Sequence, residues 1–138
     1  MLKARPSRPK DNPRIKEILE ELGLSYPSQT LDDFWVAEKN EKIVGLVQLK
    51  DHKTFFFLSS LGVSTSEQKQ GIASFLVKEA LKSAAKDVYL YTIQPEFFKR
   101  LGFKVVPPPP FLPAKSSFEC RSCVPEKCVC MGISVNAR

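Results

Sequence analysis

"LSSLGVSTSEQKQGIASFLV", residues 58–77, poses the question from which the rest of the chain is read. It opens as an apolar strand, passes a polar turn, and enters a run with helical spacing, with Gln68, Gly71 and Ala73 at the entry. The first N–H groups of a helix have no intrahelical acceptor, and the helix dipole favours negative charge beside them. Small residues there let an anion approach the backbone, since Gly71 has no Cβ and Ala73 only a methyl. Gln68, Lys69 and Gln70 can add side-chain donors. A Walker loop is excluded because no Gly-Lys-Ser/Thr follows, and the single glycine excludes a dinucleotide fingerprint. From this stretch alone, a phosphate seat and a plain helix start packed on a strand both stand open.

The chain has 138 residues, which suits one domain over 1–138 with a Cys-rich C-terminal segment at 118–138. Its 43% hydrophobic and 26% charged composition is that of a soluble globular protein. No apolar run approaches the ~18–20 residues of a membrane span, and "MLKARPSRPK" carries no apolar core behind its charges. A cytoplasmic location and no membrane partner are therefore expected. The net charge of +6 suits an anionic partner. Lys and Arg are scattered, however, and no nucleic-acid-binding motif is visible, so nucleic acid is not the expected partner.

Residues 2–8 suit a short opening strand. Asp11, Asn12 and Pro13 offer cap chemistry for a helix with Ile15, Ile18, Leu19 and Leu22 on one face, ended by Gly23. "LSYPSQTLDD", residues 24–33, reads as a loop. "FWVAE" and "KIVGLVQL" are strand-like runs joined by "KNEK", a hairpin signal without the favoured Asn-Gly. "DHKT" is a second turn, and the continuous apolar run 55–63 predicts a strand buried on both faces. A helix is predicted over 71–86, a buried strand at "DVYLYTI", and a short helix at "PEFFKRLGF" with Pro95 in its first turn and Gly102 just past its end. A strand "FKVV" follows, then four prolines, and the tail ends in a strand. The order is β-α-β-β-β-α-β-α-β-β, a mixed α/β (α+β) single domain.

Residues 58–77 resemble the acetyl-CoA motif of the GNAT (Gcn5-related) N-acetyltransferases: a strand, Val63, then Gln68-Lys69-Gln70-Gly71-Ile72-Ala73 at a helix start. "LKARPSRPKDNPRIKEILEEL" is similar to the family's opening strand and first helix, and "PEFFKRLGFKVV" to its closing helix. The resemblance spans most of residues 2–106. It implies a mostly antiparallel sheet flanked by helices, with splayed central strands, and acetyl-CoA as cosubstrate. Backbone at Leu61, Gly62 and Val63 would bind the pantetheine arm. N–H groups from Gln68, Lys69, Gln70, Gly71, Ile72, Ala73 and Ser74 would cradle the pyrophosphate, and the Val63 N–H would face the thioester oxygen. Two departures stand out. Phe98 occupies the place of the family's usual Tyr acid, and Phe57 lies about where its Glu would fall. Tyr91, on the neighbouring strand, could serve as the acid in its place or be an ordinary core tyrosine. His52 sits in a turn expected to be exposed, and Ser59 and Ser60 could hold a water.

Cys120, Cys123, Cys128 and Cys130 form C-x2-C-x4-C-x-C. They could hold one zinc, in a cramped arrangement, or stay as thiols or disulfides. The first three, with "CMGISV", resemble more loosely the tail of short N-acetylglutamate-synthase-like members. That resemblance implies a small amine acceptor, an amino acid such as glutamate. The competing readings are a non-catalytic acyl-CoA-binding or sensor module, acetylation of a protein amine, and a basic, Cys-tailed nucleic-acid adaptor. A monomer and a homodimer are both compatible with the sequence.

Overall fold

The computed structural model describes residues 2–25, 29–110 and 129–134. In chain order the elements are β1 (Leu2–Pro6), α1 (Asn12–Glu21), β2 (Phe34–Lys39), β3 (Lys42–Asp51), β4 (Phe55–Val63), α2 (Ile72–Ser83), β5 (Asp87–Thr92), α3 (Pro95–Lys99), β6 (Lys104–Val105) and β7 (Val129–Ile133). Single 3₁₀ turns at Pro9–Asp11 and Thr65–Glu67 lead into α1 and toward α2. The strands form one sheet in the order β1-β2-β3-β4-β5-β7-β6. All pairs are antiparallel except β4–β5. That pair is parallel because α2 carries the chain back across the sheet between the two strands.

The mixed α/β architecture expected from the element order is the one observed. On one face, α2 buries Ile72, Leu76, Val77, Ala80 and Leu81 against Val47, Leu49, Val88, Leu90 and Met131. On the other, Ile15, Ile18 and Leu19 of α1 pack on Phe34, Val36, Ile43 and Leu46. A third cluster joins Phe55, Phe57 and Cys130 to Tyr89, Tyr91 and Val106. Leu76 is fully buried, and truncating such a side chain to Ala costs about 2–5 kcal/mol.

Local chemistry fixes the connections. Asn40 and Glu41 both take positive φ (52° and 68°), as a type I′ hairpin turn requires; Asn40 suits the first position, and Glu41 stands at the second, where Gly is usual. At the opening, Arg5 grips the Asp11 carboxylate with both terminal guanidinium nitrogens (2.8 and 3.2 Å) and donates from Nε to Glu38 at 2.6 Å, tying β1 to β2 and to the start of α1. Asp11 also accepts the Arg8 N–H at 2.8 Å. The Arg5 hydrogen bond, helped by that N–H, draws the Asp11 carboxyl from an ordinary 3.8 down to about 2.

Two expectations need correction. The second helix runs from Ile72 to Ser83 rather than over 71–86, because Gly71 is its left-handed cap and Ala84 is already extended. β4 is not buried on both faces throughout: Ser59, Ser60, Leu61 and Gly62 are only half-buried. The cause is the path of its neighbour, described next.

Candidate active site

β4 and β5 pair only at Phe55–Asp87, Phe56–Val88 and Phe57–Tyr89. Both strands continue past this point, β4 to Val63 and β5 to Thr92, without pairing to each other. The sheet therefore opens into a crevice walled by residues 58–63 and 90–92. On its other edge β4 stays paired to β3, but with a bulge. Leu46 faces Gly62 and Gln48 faces Ser59, so β4 holds one residue more than β3 between these pairs. Ser60, at the bulge, has φ 53°.

The ladder also decides which way the Val63 backbone points. Ser64 donates its N–H to the Val44 carbonyl at 2.8 Å, making Ser64 and Val44 a hydrogen-bonded pair. Bonded and non-bonded pairs alternate in an antiparallel ladder. Val63, opposite Gly45, is thus in a non-bonded pair, and its N–H and C=O turn away from β3 toward the crevice. The Val63 carbonyl accepts the Gln68 side-chain N–H at 3.0 Å. Leu61 lies two residues back on the same strand edge.

Beyond β4 the chain reaches α2 through residues 64–71. Lys69 (φ 64°) and Gly71 (φ 77°) both adopt left-handed conformations, costly for Lys and natural for Gly. A Cβ built on Gly71 would meet nothing within 4 Å, so space lies open above the cap. Gly71 offers no side chain to cap the helix, and the first intrahelical bond is from the Phe75 N–H to the Gly71 carbonyl at 3.1 Å. The N–H groups of Ile72, Ala73 and Ser74 are therefore those that a helix start leaves without an intrahelical acceptor. Leu61, Gly62, Val63 and Gln68 to Ser74 thus lie along one path, from the crevice wall to the N-terminus of α2.

α1 and the segment after it lie along the opposite face of the same half-strand. A Cβ on Gly62 would fall 2.5 Å from Leu22 Cδ1, so glycine there admits the end of α1. Gln29 donates to the Ser60 hydroxyl at 3.3 Å. Buried Gln48 donates to the carbonyls of Thr30 (3.2 Å) and Asp32 (2.9 Å) and accepts from the Ser59 hydroxyl at 3.4 Å. Gln29 and Gln48 were not singled out from the sequence. Each reads there as an ordinary loop or strand polar residue, because its partners lie far along the chain.

The remaining candidates scatter. Tyr91 stands on the part of β5 that has left β4 and pairs only with β7, half-buried, its ring 5.8 Å from that of Phe57. Phe98 is buried in the core against Phe97 and Phe103. His52 is half-buried rather than exposed, stacked on Phe55 at 4.9 Å. Cys130 is buried beside Phe55 and Phe57, while Cys120, Cys123 and Cys128 lie outside the described residues. Among the described residues no group of three or more His, Cys, Asp or Glu is placed to hold a metal. No helix among them is long and apolar enough to cross a membrane.

Residues 30–105 match the family model of an acetyltransferase (GNAT) domain. The chain belongs to the GNAT acetyltransferases. No curated protein sequence matches it. Solved structures share the fold at low identity. N-acetylglutamate synthase from Neisseria gonorrhoeae, complexed with coenzyme A and N-acetyl-glutamate, superposes with a TM-score of 0.73 at 18% identity over 98% of this chain. This GNAT chain spans only 35% of that longer protein. Rv2747 from Mycobacterium tuberculosis, in complex with CoA, gives 0.71 at 22% identity, covering 96% of this chain and 98% of its own. Naa50 from Arabidopsis thaliana, bound to a bisubstrate analogue, gives 0.68 at 18%, covering 96% and 98%.

Proposed function

We propose that this acetyltransferase moves the acetyl group of acetyl-CoA to the primary amine of a small acceptor, an amino acid such as glutamate. The observation that carries the reading is the crevice between β4 and β5 with the Val63 N–H turned into it. An extended pantetheine arm would add to β4 as a short extra strand along Leu61, Gly62 and Val63. Its diphosphate would rest on the N–H groups from Gln68 to Ser74, over the open space at Gly71.

In the transfer, the amine lone pair attacks the thioester carbon, and the Val63 N–H stabilises the oxyanion. The C–S bond then breaks, and the CoA sulfur leaves as thiolate. Tyr91, on the part of β5 that has left β4, supplies a proton to it, and the proton lost from the amine passes to water. Phe98 is excluded as a donor because its ring carries no hydroxyl.

The acceptor's charge class rests on what the nearby acids are doing. Asp32 is ion-paired with Lys50 at 3.3 Å, and Glu38 is held by Arg5, so these carboxylates are not poised to attract a polyamine. An excess of positive charge favours an acceptor bearing a carboxylate. The test is acetyl-CoA turnover, followed by free CoA, with glutamate, other amino acids, polyamines and basic peptides side by side. The highest kcat/KM is expected for a free amino acid. A basic peptide in first place would shift the acceptor to a protein amine, and CoA release with none of them would favour a non-catalytic binding module.

A further inference from the structure

The loop between β4 and α2 is anchored from outside the crevice. Glu21, the last residue of α1, receives the Thr65 N–H at 2.7 Å, the Thr65 hydroxyl at 2.8 Å and the Ser64 hydroxyl at 3.2 Å, all on one carboxylate oxygen. From β2, Lys39 reaches the side-chain oxygens of Glu67 at 2.8 Å and Gln70 at 2.9 Å. Between these anchors, Lys69 adopts a left-handed conformation that a lysine does not take without constraint.

The Glu21 anchor runs against simple electrostatics. A carboxylate at the C-terminus of a helix opposes the helix dipole, and a negative charge near an anion site would weaken it. Three hydrogen bonds onto one oxygen offset that cost, and the Thr65 N–H is the main reason the Glu21 carboxyl is held below its ordinary range. The side chain is exposed and contributes nothing to the apolar core.

We infer that Glu21 is a positioning residue for the diphosphate seat: by fixing Ser64 and Thr65 it sets the path of residues 66–71 and aims the N–H groups at the start of α2, without touching the cofactor. The inference rests on the proposed seating of the CoA diphosphate on that loop.

The experiment compares acetyl-CoA with acetyl-pantetheine, which lacks the diphosphate, in wild type, Glu21→Ala and Glu21→Gln, with melting temperatures recorded for each. For Glu21→Ala the KM for acetyl-CoA is expected to rise about tenfold, the scale of one lost charge-assisted hydrogen bond, while the KM for acetyl-pantetheine holds. Glu21→Gln keeps an acceptor oxygen and should recover most of the loss. An equal rise for both donors, no rise for either, or tighter acetyl-CoA binding once the negative charge is gone would overturn the inference. A wild type that does not distinguish the two donors would overturn the diphosphate seat itself, and the inference with it.

Discussion

Phe57 is the last residue of β4 to pair with β5, opposite Tyr89, and from there the two strands diverge. Tyr91 lies just past that point, its ring against Phe57. In the proposed mechanism its hydroxyl gives a proton to the leaving sulfur. Tyr91→Phe keeps the packing and removes the proton. We expect kcat to fall about tenfold or more, at the low end for general acids because a thiol is a good leaving group. The KM for acetyl-CoA should stay unchanged. An unaltered kcat would return Tyr91 to a packing role.

At the N-terminus of α2, Gly71→Glu puts a carboxylate into open space, so no clash threatens the fold. The left-handed conformation costs any non-glycine residue roughly 1 kcal/mol. The expected result is a folded protein, slightly less stable, with no measurable acetyl-CoA binding by calorimetry. Unchanged affinity in the folded variant would argue against the diphosphate seat.

Gln48 fixes the segment after α1 to the strand beside the crevice. Gln48→Leu leaves two carbonyls and a hydroxyl to find other partners, at a cost of about 1–3 kcal/mol. Because the segment with Thr30 and Asp32 lies beside the half of β4 that walls the crevice, where Gln29 also bonds Ser60, we expect the KM for the acceptor to rise while that for acetyl-CoA holds. Steady-state kinetics with each substrate varied in turn, together with urea unfolding, would check both effects.

Much of the frame could be read from periodicity. The faces of α1 and α2, the glycines ending α1 and α3, and the hairpin between β2 and β3 follow from local residue chemistry. The opening of the sheet does not. "FFFLSSLGV" is apolar enough to suggest burial throughout, and its half-exposed second part reflects where β5 departs, which no residue of β4 encodes. Glu21 and Gln48 were illegible for a related reason. Glu21 reads as the polar end of a helix and Gln48 as one polar position in a strand, yet their partners stand 43–44 and 11–18 residues away. Phe98 shows the converse: its departure from the family's Tyr was visible, but its burial against Phe103 was not.

The Arg5–Asp11 pair sets an acid limit on stability. The carboxyl is shifted down in the folded state, so its contribution is complete above the ordinary value of 3.8 and is lost as pH falls toward about 2. A shift of this size corresponds to roughly 2 kcal/mol at neutral pH. Asp11→Asn should therefore be clearly less stable than wild type at pH 7 in urea unfolding, with the gap narrowing between pH 4 and pH 2. A gap that does not change with pH would mean that the ion pair is not its source.

In the proposed function acetyl-CoA lies along β4 and over the start of α2. Backbone amide shifts of the isotope-labelled protein, followed while CoA is added, test it most directly. Saturable changes are expected at one site per chain, largest at Leu61, Val63 and Gln68 to Ser74, with the β1–β2 edge of the sheet unaffected. No saturable change, or changes centred away from these residues, would contradict it.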